Sequence, residues 1–173
     1  MEAAGGAAGA RIYGAEFEGD WNITSVDHLK GFATYLEATY TTFNGAIDIR
    51  DNATIGSLAG SHLPFAPDVT LRGQYSHDFT LSNGGMLSPM AAVYWQSESH
   101  TQSYNVPVFG IKPYNKTDMS LIYTDPTAHW NVSAYVDNLD DKAVRTGDFA
   151  SQNIVYTEYG APRRYGMKVS VRY

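Results

Sequence analysis

Three carboxylates recur at every second position near the start of the sequence: Glu16, Glu18 and Asp20. In a β-strand, residues two apart lie on the same face, so these side chains are expected to form one acidic row. Such a row could attract cations along a channel wall, or it could simply be a solvated polar surface. Paired carboxylates also hydrolyse glycosides, but nothing in the sequence nominates an acid with a raised pKa. We therefore expect a polar wall and no enzyme activity.

Histidine is the second residue type that could do chemistry. The five histidines show no H-x-H or H-x-x-x-H spacing, and the chain has no cysteine, which excludes thiolate metal sites. Only His62 and His100 fall in long connections, where folding could bring them to a shared ligand site. The sequence itself predicts no metal site and no cofactor.

Polar and aromatic residues in the long connections are the best candidates for ligand recognition, because loops on a rigid scaffold usually carry binding. Besides His62 and His100, the candidates are Tyr104, Asn105, Phe109, Phe149, Gln152 and Tyr156. The alternative is that these aromatic rings pack the loops against each other.

The elements that would position these residues are β-strands. Apolar and polar residues alternate strictly over residues 11–24, 69–81 and 164–173. These segments are longer than the usual globular strand of about five or six residues, and they suit a tilted membrane strand of about 9–11 residues. Weaker alternation predicts further strands, and an eighth is possible near 152–160. The weaker strands are 29–43, 86–98, 115–124 and 129–138.

The connections between these strands alternate strictly between short and long. Short ones cover 25–28, 82–85 and 125–128, and long ones cover 44–67, 99–114 and 139–163. Bacterial outer-membrane barrels have short turns on one side and long loops on the other. The pattern therefore predicts an all-β fold, an antiparallel transmembrane β-barrel of about seven or eight strands that is part of a larger barrel.

The alternation also assigns faces to the predicted strands. The terminal strand should turn an apolar row to lipid and the cations Arg164, Lys168 and Arg172 inward. The predicted lipid-facing row, which ends on an aromatic residue, is Tyr165, Met167, Val169, Val171 and Tyr173. The predicted lumen-lining residues are Glu16, Glu18, Asp20, Arg72 and Asp78.

Composition limits the function classes. The chain has 173 residues and a net charge of −6, which argues against a nucleic-acid surface. The longest strongly apolar run, Met90 to Trp95, is far shorter than a membrane helix of about 20 residues. Residues 1–10 are expected to be a flexible leader without the features of a secretory signal, and residues 11–173 to form the barrel segment.

Four short motifs occur in order along the chain: GAEFE at 14–18, GSHLPFAP at 60–67, VDNLDDK at 136–142 and APRRYG at 161–166. Together with the aromatic terminal strand, they resemble the carboxyl-terminal barrel portion of TonB-dependent outer-membrane receptors. The terminal strand resembles the signal that the outer-membrane assembly machinery reads. Such receptors have about 22 strands, a plug domain and a TonB-contacting box. The chain has no room for these, so the resemblance covers only the last seven or so strands.

The resemblance implies uptake of a scarce ligand, such as an iron chelate, cobalamin or an oligosaccharide, in the bacterial outer membrane. It implies as partners membrane lipid, the assembly machinery, and another chain that supplies the remaining strands and the plug. Two alternatives stay open from the residues alone. One is a small self-contained barrel with a structural or adhesive role, and the other is a soluble β-sandwich that binds a ligand.

Overall fold

The computed structural model describes residues 8–151 and 154–172, and strands dominate it. A 3-10 turn covers Pro107–Phe109. In chain order the strands are β1 (Gly9–Asn22), β2 (Asp27–Thr42), β3 (Ala46–Ile47), β4 (Thr54–Ile55), β5 (Val69–His77), β6 (Phe79–Thr80), β7 (Met86–Gln96), β8 (Ser99–His100), β9 (Gly110–Ile111), β10 (Tyr114–Thr124), β11 (Trp130–Asp137), β12 (Arg145–Ser151), β13 (Ile154–Tyr159) and β14 (Arg164–Val171).

The seven long strands predicted from the sequence form one antiparallel sheet. Its order is β1-β2-β5-β7-β10-β11-β14, so each long strand pairs with the next long strand along the chain. The two-residue β6 continues the line of β5 and also pairs with β7. This up-and-down order confirms the all-β antiparallel barrel fold, and β1 begins two residues before the predicted boundary at residue 11.

The sheet is open, and β1 and β14 are its two edges. Because the sheet has an odd number of alternating strands, these edges run in the same direction and cannot close antiparallel. The possible eighth strand near 152–160 does form as β13, but it pairs with β12 inside the last long loop and does not join the barrel sheet. In lipid, each backbone N–H or carbonyl without a partner at an open edge costs roughly several kcal/mol of free energy. Both edges of the sheet therefore present backbone groups that a neighbouring strand could pair with.

Every short connection lies at one end of the sheet and every long one at the other. The short turns cover 23–26, 78–85 and 125–129. Gly84 has a φ of +82°, which glycine adopts without strain, and the side chain of Asn83 accepts the N–H of Gly85 at 2.9 Å. The alternation of connection lengths thus predicted the two ends of the fold correctly.

One face of the sheet is a continuous apolar surface. Residues that pair across all seven strands form a row of apolar side chains, several of them exposed. That row is Trp21, Leu29, Tyr75, Ala91, Met119, Val136 and Tyr165. Soluble monomers rarely expose so large an apolar patch. A β-sandwich would cover this face with a second sheet, and among the described residues no second sheet does so.

The apolar residues of β2 lie on both faces of the sheet. Phe32 pairs with Glu18 on one side and Arg72 on the other, so it lies on the polar face. Ala38 lies on that same face but is only 3% exposed. It is buried because β2 extends under the long loops, where apolar side chains pack against protein rather than lipid. Tyr35 occupies the apolar face, between Ala15 and Val69.

The terminal strand β14 has the alternation predicted for it. Val169 pairs with Val132 on the apolar face, and Ser170 pairs with Asn131 on the polar face. Arg164 contacts Asp137 of β11 at 3.2 Å. Tyr173 lies outside the described residues. The register turns Tyr165, Met167, Val169 and Val171 to the same side.

This register predicts that two adjacent substitutions have different effects. Val169→Arg should impair insertion into lipid bilayers, because an arginine on a lipid face costs about 2–4 kcal/mol near the midplane. Ser170→Arg should insert nearly as well as the unchanged chain. Insertion is measured by protease protection in liposomes, and equal insertion of the two variants would contradict the assignment of faces.

Candidate ligand-binding site

The three long loops lie together at one end of the sheet, and they share an apolar cluster. Ala46 and Leu58 come from the first loop, and Tyr104 and Phe109 come from the second. Phe109 has no exposed surface, and its ring meets that of Tyr104 edge-on with centroids 5.4 Å apart. Val155 of the third loop packs against the same cluster. The loops therefore form one block with a small core of its own.

An ion pair between the buried Asp48 and the partly exposed Arg50 borders this core. Arg50 donates from Nε to both carboxylate oxygens of Asp48, at 2.9 and 3.0 Å, and its guanidinium lies 5.9 Å from the ring centre of Phe109. Hydrogen bonds from Arg50 lower the pKa of Asp48 to about 2. The hydroxyl of Tyr104 accepts the N–H of Ile49 at 3.0 Å. These contacts fix the first loop against the second.

A second contact between these loops uses one asparagine side chain. Asn105 accepts the backbone N–H of His62 at 2.6 Å and donates to the backbone carbonyl of His62 at 3.2 Å. Tyr40 and Ser103 add a hydroxyl contact of 3.2 Å nearby. The side chain of Asn105 therefore makes the two hydrogen bonds that the backbone of a paired strand would make, and it holds the two loops together.

The third loop is attached through Asp148 on β12. The carboxylate of Asp148 accepts hydrogen bonds from Thr101 of the second loop and from Thr157 on β13, the latter at 2.8 Å. Arg145 lies 3.6 Å from the same carboxylate and donates to the carbonyl of Val108 at 2.6 Å. Because the side chain of Asp148 is fully buried, these partners are what make its charge tolerable.

The motifs at the base of the third loop are explained by one buried residue. Asn138 is 2% exposed and has a φ of +55°, a conformation that asparagine tolerates better than most residues. Its side chain accepts the backbone N–H of Lys142 and donates to the carbonyls of Lys142 and Ala161. The backbone N–H of Asn138 donates to the carboxylate of Asp118. VDNLDDK and APRRYG therefore contain residues that close the loop.

The structure separates the predicted ligand contacts into two groups. Tyr104, Asn105 and Phe109 hold the loops together, so the packing interpretation describes them. Phe149 and Tyr156 pair across the β12–β13 hairpin with ring centroids 6.1 Å apart, and both are more than half exposed. The structure leaves this aromatic pair open to a ligand.

The other three predicted contacts have different positions. His62 and His100 line one cleft between the first and second loops. Gln152 lies outside the described residues. The two histidines are far apart in sequence, so only the packing of the loops brings them together.

Sequence reasoning missed a cationic cleft between the second and third loops. Lys112 and Lys142 are exposed there, and Tyr159 and Arg145 complete its wall around a volume of about 300 Å³. Tyr114, the first residue of β10, also lines it. Lys112 lies just before β10 and Lys142 just after β11, and no feature of the sequence indicates that these two lysines line one cleft.

Below the loops, the predicted lumen residues share the polar face. Glu18 and Arg72 stand in one row on either side of β2, and Glu16 is on the same face two residues along β1. Lys30 contacts Asp20 at 2.9 Å. Glu18, Asp20, Lys30 and Arg72 line a recess of about 320 Å³. The acidic row is thus partly neutralised by cations from the next two strands.

Asp78 lies at the short-turn end of the same face. It accepts a hydrogen bond from Ser88, and His28 Nε2 is 3.6 Å from its carboxylate. It interrupts the strand between β5 and β6. Its contacts fasten the turn end of the sheet, at a distance from the loop block.

No helix within the described residues has the length and apolar character needed to cross a membrane. Within 8–151 and 154–172, no group of three or more His, Asp or Glu side chains is already gathered where it could hold a metal ion.

A seven-strand meander with one apolar face, one polar face and all long loops at one end defines a segment of a transmembrane β-barrel. Residues 4–139 match the family model "TonB dependent receptor-like, beta-barrel". The chain belongs to this family. A comparison with curated proteins gave no match.

Several solved structures share this fold. The ferric yersiniabactin uptake receptor FyuA from Yersinia pestis has a TM-score of 0.79 and 22% identity, over 95% of this chain and 24% of that one. The siderophore receptor PiuA from Acinetobacter baumannii has a TM-score of 0.72 and 17% identity, over 92% and 21%. BauA, the ferric preacinetobactin receptor of the same organism, has a TM-score of 0.69 and 20% identity, over 92% and 22%. The chain spans about a quarter of the length of these receptors.

The Asp48–Arg50 ion pair predicts a pH dependence of the loop block. The pKa of Asp48 is lowered from 3.8 to about 2 on folding, so its carboxylate stabilises the loops above about pH 4. That contribution is lost as the pH falls towards 2. Asp48→Asn should remove about 1–2 kcal/mol of local stability at pH 7, because Arg50 then loses its charged partner.

Hydrogen exchange of the amides of Ile49 and Arg50 measures this local stability. Asp51→Asn is the control for loss of a neighbouring carboxylate, because Asp51 is exposed, accepts the N–H of Ala53 and acts on Arg50 through its charge without the hydrogen bonds that Asp48 accepts. Equal exchange in the two variants would show that the Asp48–Arg50 pair does not stabilise the loops.

Proposed function

We propose that the chain forms part of the wall and the ligand-facing loops of an outer-membrane receptor that takes up a ferric siderophore. The observation that carries this proposal is the loop block, which presents an exposed aromatic pair and a cationic cleft above a polar wall. Family membership supports a receptor, and the siderophore receptors that share the fold support the ligand class.

The chemistry of the loop end suits an anionic aromatic chelate. A ferric catecholate carries negative charge and flat rings, and Lys112 and Lys142 would supply the opposite charge. Phe149 and Tyr156 offer ring faces against which such a ligand can stack. Cobalamin and oligosaccharides are the other ligand classes that such a receptor could take, and neither is a compact anion. The cations therefore favour the iron chelate.

Transport would require parts beyond this sheet. We propose that further strands pair with the edges of β1 and β14, from the same polypeptide or another chain, and that a plug gates the completed barrel. Lipid would cover the apolar face, and the outer-membrane assembly machinery would insert the chain. The self-contained small barrel is less well supported, because its two edge strands run in the same direction.

Membrane location is tested by fractionating cells that express the chain with a secretion signal. We expect the chain in the outer-membrane fraction, extracted by detergent, with a gel mobility that changes on heating as a folded barrel unfolds. Recovery of the chain as a soluble monomer without detergent would overturn the proposed location.

Ligand binding predicts a specific role for the exposed aromatic pair. Phe149→Ala combined with Tyr156→Ala should weaken binding of a ferric catecholate by about 10-fold or more, since each lost aromatic contact is worth about 1 kcal/mol. Lys142→Ala should weaken it further and reduce its dependence on salt concentration. Quenching of tryptophan fluorescence measures the affinity.

Phe17→Ala is the control for this experiment, because Phe17 is an exposed aromatic residue on the apolar face of β1. It should bind the ferric catecholate as the unchanged chain does. Tighter binding of cobalamin or an oligosaccharide than of any ferric chelate would replace the proposed ligand class.

A further inference from the structure

The polar face of the sheet carries a group of basic and aromatic side chains directly below the loop block. Tyr94 of β7 pairs with Arg72 of β5 on one side and with Lys116 of β10 on the other. Tyr114, the first residue of β10, lies two residues before Lys116 and therefore on the same face. We call Arg72, Tyr94, Tyr114 and Lys116 the wall site.

A buried glutamine holds the two rings of the wall site. Gln96 is 8% exposed, and its side-chain oxygen accepts hydrogen bonds from the hydroxyl of Tyr94 at 2.8 Å and from that of Tyr114 at 3.0 Å. Its amide nitrogen donates to the hydroxyl of Ser99 at 3.4 Å. The ring centroids of the two tyrosines are 6.0 Å apart. Because both hydroxyls are held, the rings have a set orientation before any ligand binds.

The two cations of the wall site differ from a neighbouring cation on the same face. Lys30 forms an ion pair with Asp20 at 2.9 Å. Neither Arg72 nor Lys116 forms an ion pair with a carboxylate in the part of the chain that the structure describes. Their charges are therefore available to an anionic ligand.

The acidic residues of the same face that lie nearest to these cations are separated from them or already bonded. Glu18 lies in the same row, but Phe32 stands between it and Arg72. Asp118, further along β10, accepts the backbone N–H of Asn138 at 2.8 Å. The wall site thus keeps two positive charges beside its rings.

We infer that the wall site binds a planar aromatic anion, such as an aryl carboxylate or a catecholate. Neighbouring strands are about 4.8 Å apart, so Arg72 and Lys116 stand about 10 Å apart, one on each side of Tyr94. Cations at this spacing can approach both edges of one aromatic anion whose ring packs on a tyrosine ring.

The wall site is continuous with the cationic cleft above it. Tyr114 lines that cleft as well, together with Lys112. A ligand that leaves the cleft would meet Tyr114 and then Tyr94 with its two cations. The wall site therefore gives an aromatic anion a second position, further from the loop end. Binding at the wall site rests on its own residues, and only its place in uptake rests on the proposed function.

Titration of the full chain, folded in non-ionic detergent micelles, with salicylate tests the inference without iron. Saturation-transfer NMR measures the affinity. We expect saturable binding that weakens as the salt concentration rises, because salt screens the two cations. Salicylamide has the same ring without the negative charge, and it should bind about 5-fold more weakly or worse.

Substitutions in the wall site separate its charges from its rings. Arg72→Gln and Lys116→Gln should each weaken salicylate binding by about 5-fold or more, because each removes a charged partner. Tyr94→Leu should weaken it by about 3-fold or more, and Tyr94→Phe should keep it within about twofold, because the phenylalanine ring still packs on the ligand.

Lys168→Gln is the matched control for Lys116→Gln. Lys168 is an exposed cation on the same face, two strands beyond β10, where it pairs with Ser133. This variant should bind salicylate within about twofold of the unchanged chain, since solvent and salt screen a charge at that distance. Heat-dependent gel mobility establishes that each variant is folded, and the two charge variants decide the inference if Tyr94→Leu is not.

Three results would overturn the inference. They are the absence of saturable salicylate binding in the unchanged chain, equally tight binding of salicylamide, and an equal loss of affinity in Lys116→Gln and Lys168→Gln. None of them bears on the exposed aromatic pair, because Phe149→Ala combined with Tyr156→Ala should leave salicylate binding unchanged. Failure of the loops to bind a ferric catecholate would, in turn, leave binding at the wall site standing.

Discussion

Pairing of backbone hydrogen bonds across the sheet is the constraint on which the rest of the structure depends. In lipid no water can satisfy an unpaired N–H or carbonyl, so each strand must keep its register with both neighbours. Side chains alternate with a period of two, and a slip of one residue would turn Lys168 and Arg172 to the apolar face. The same register places Glu18 and Arg72 in one row. The apolar face and the polar face of the sheet therefore both follow from the register of strand pairing.

Loop stability has a different origin. At the loop end the chain leaves the sheet, and its backbone groups need other partners. Asn105 supplies two of them to His62, Asn138 supplies three to Lys142 and Ala161, and Asp148 links the second loop to the third. Where strand pairing ends, side-chain amides and carboxylates thus provide the hydrogen bonds that hold the loops.

The sequence predicted what depends on local periodicity and failed where contacts are distant. All seven long strands and both kinds of connection followed from alternation and spacing. The eighth strand failed because 154–159 has strand character but finds its partner in β12, which alternation alone does not reveal. Likewise, Phe109 and Phe149 are both loop phenylalanines, and the apolar cluster formed where the loops pack together buries the first and leaves the second exposed. The cleft at Lys112 and Lys142 required two loops to converge.

Some loop residues hold the three loops together and others are exposed, and this division decides which positions can vary. Replacing Phe109, Asn138 or Asp148 would leave a cavity or an unpaired buried group, at a cost of about 2–5 kcal/mol. Replacing an exposed residue such as Phe149 or Lys142 should cost less than about 0.5 kcal/mol. Because the two sets share the same loops, the exposed surface can vary while the block beneath it keeps its shape. The wall then needs no change, since its register is set by backbone pairing rather than by the loops above it.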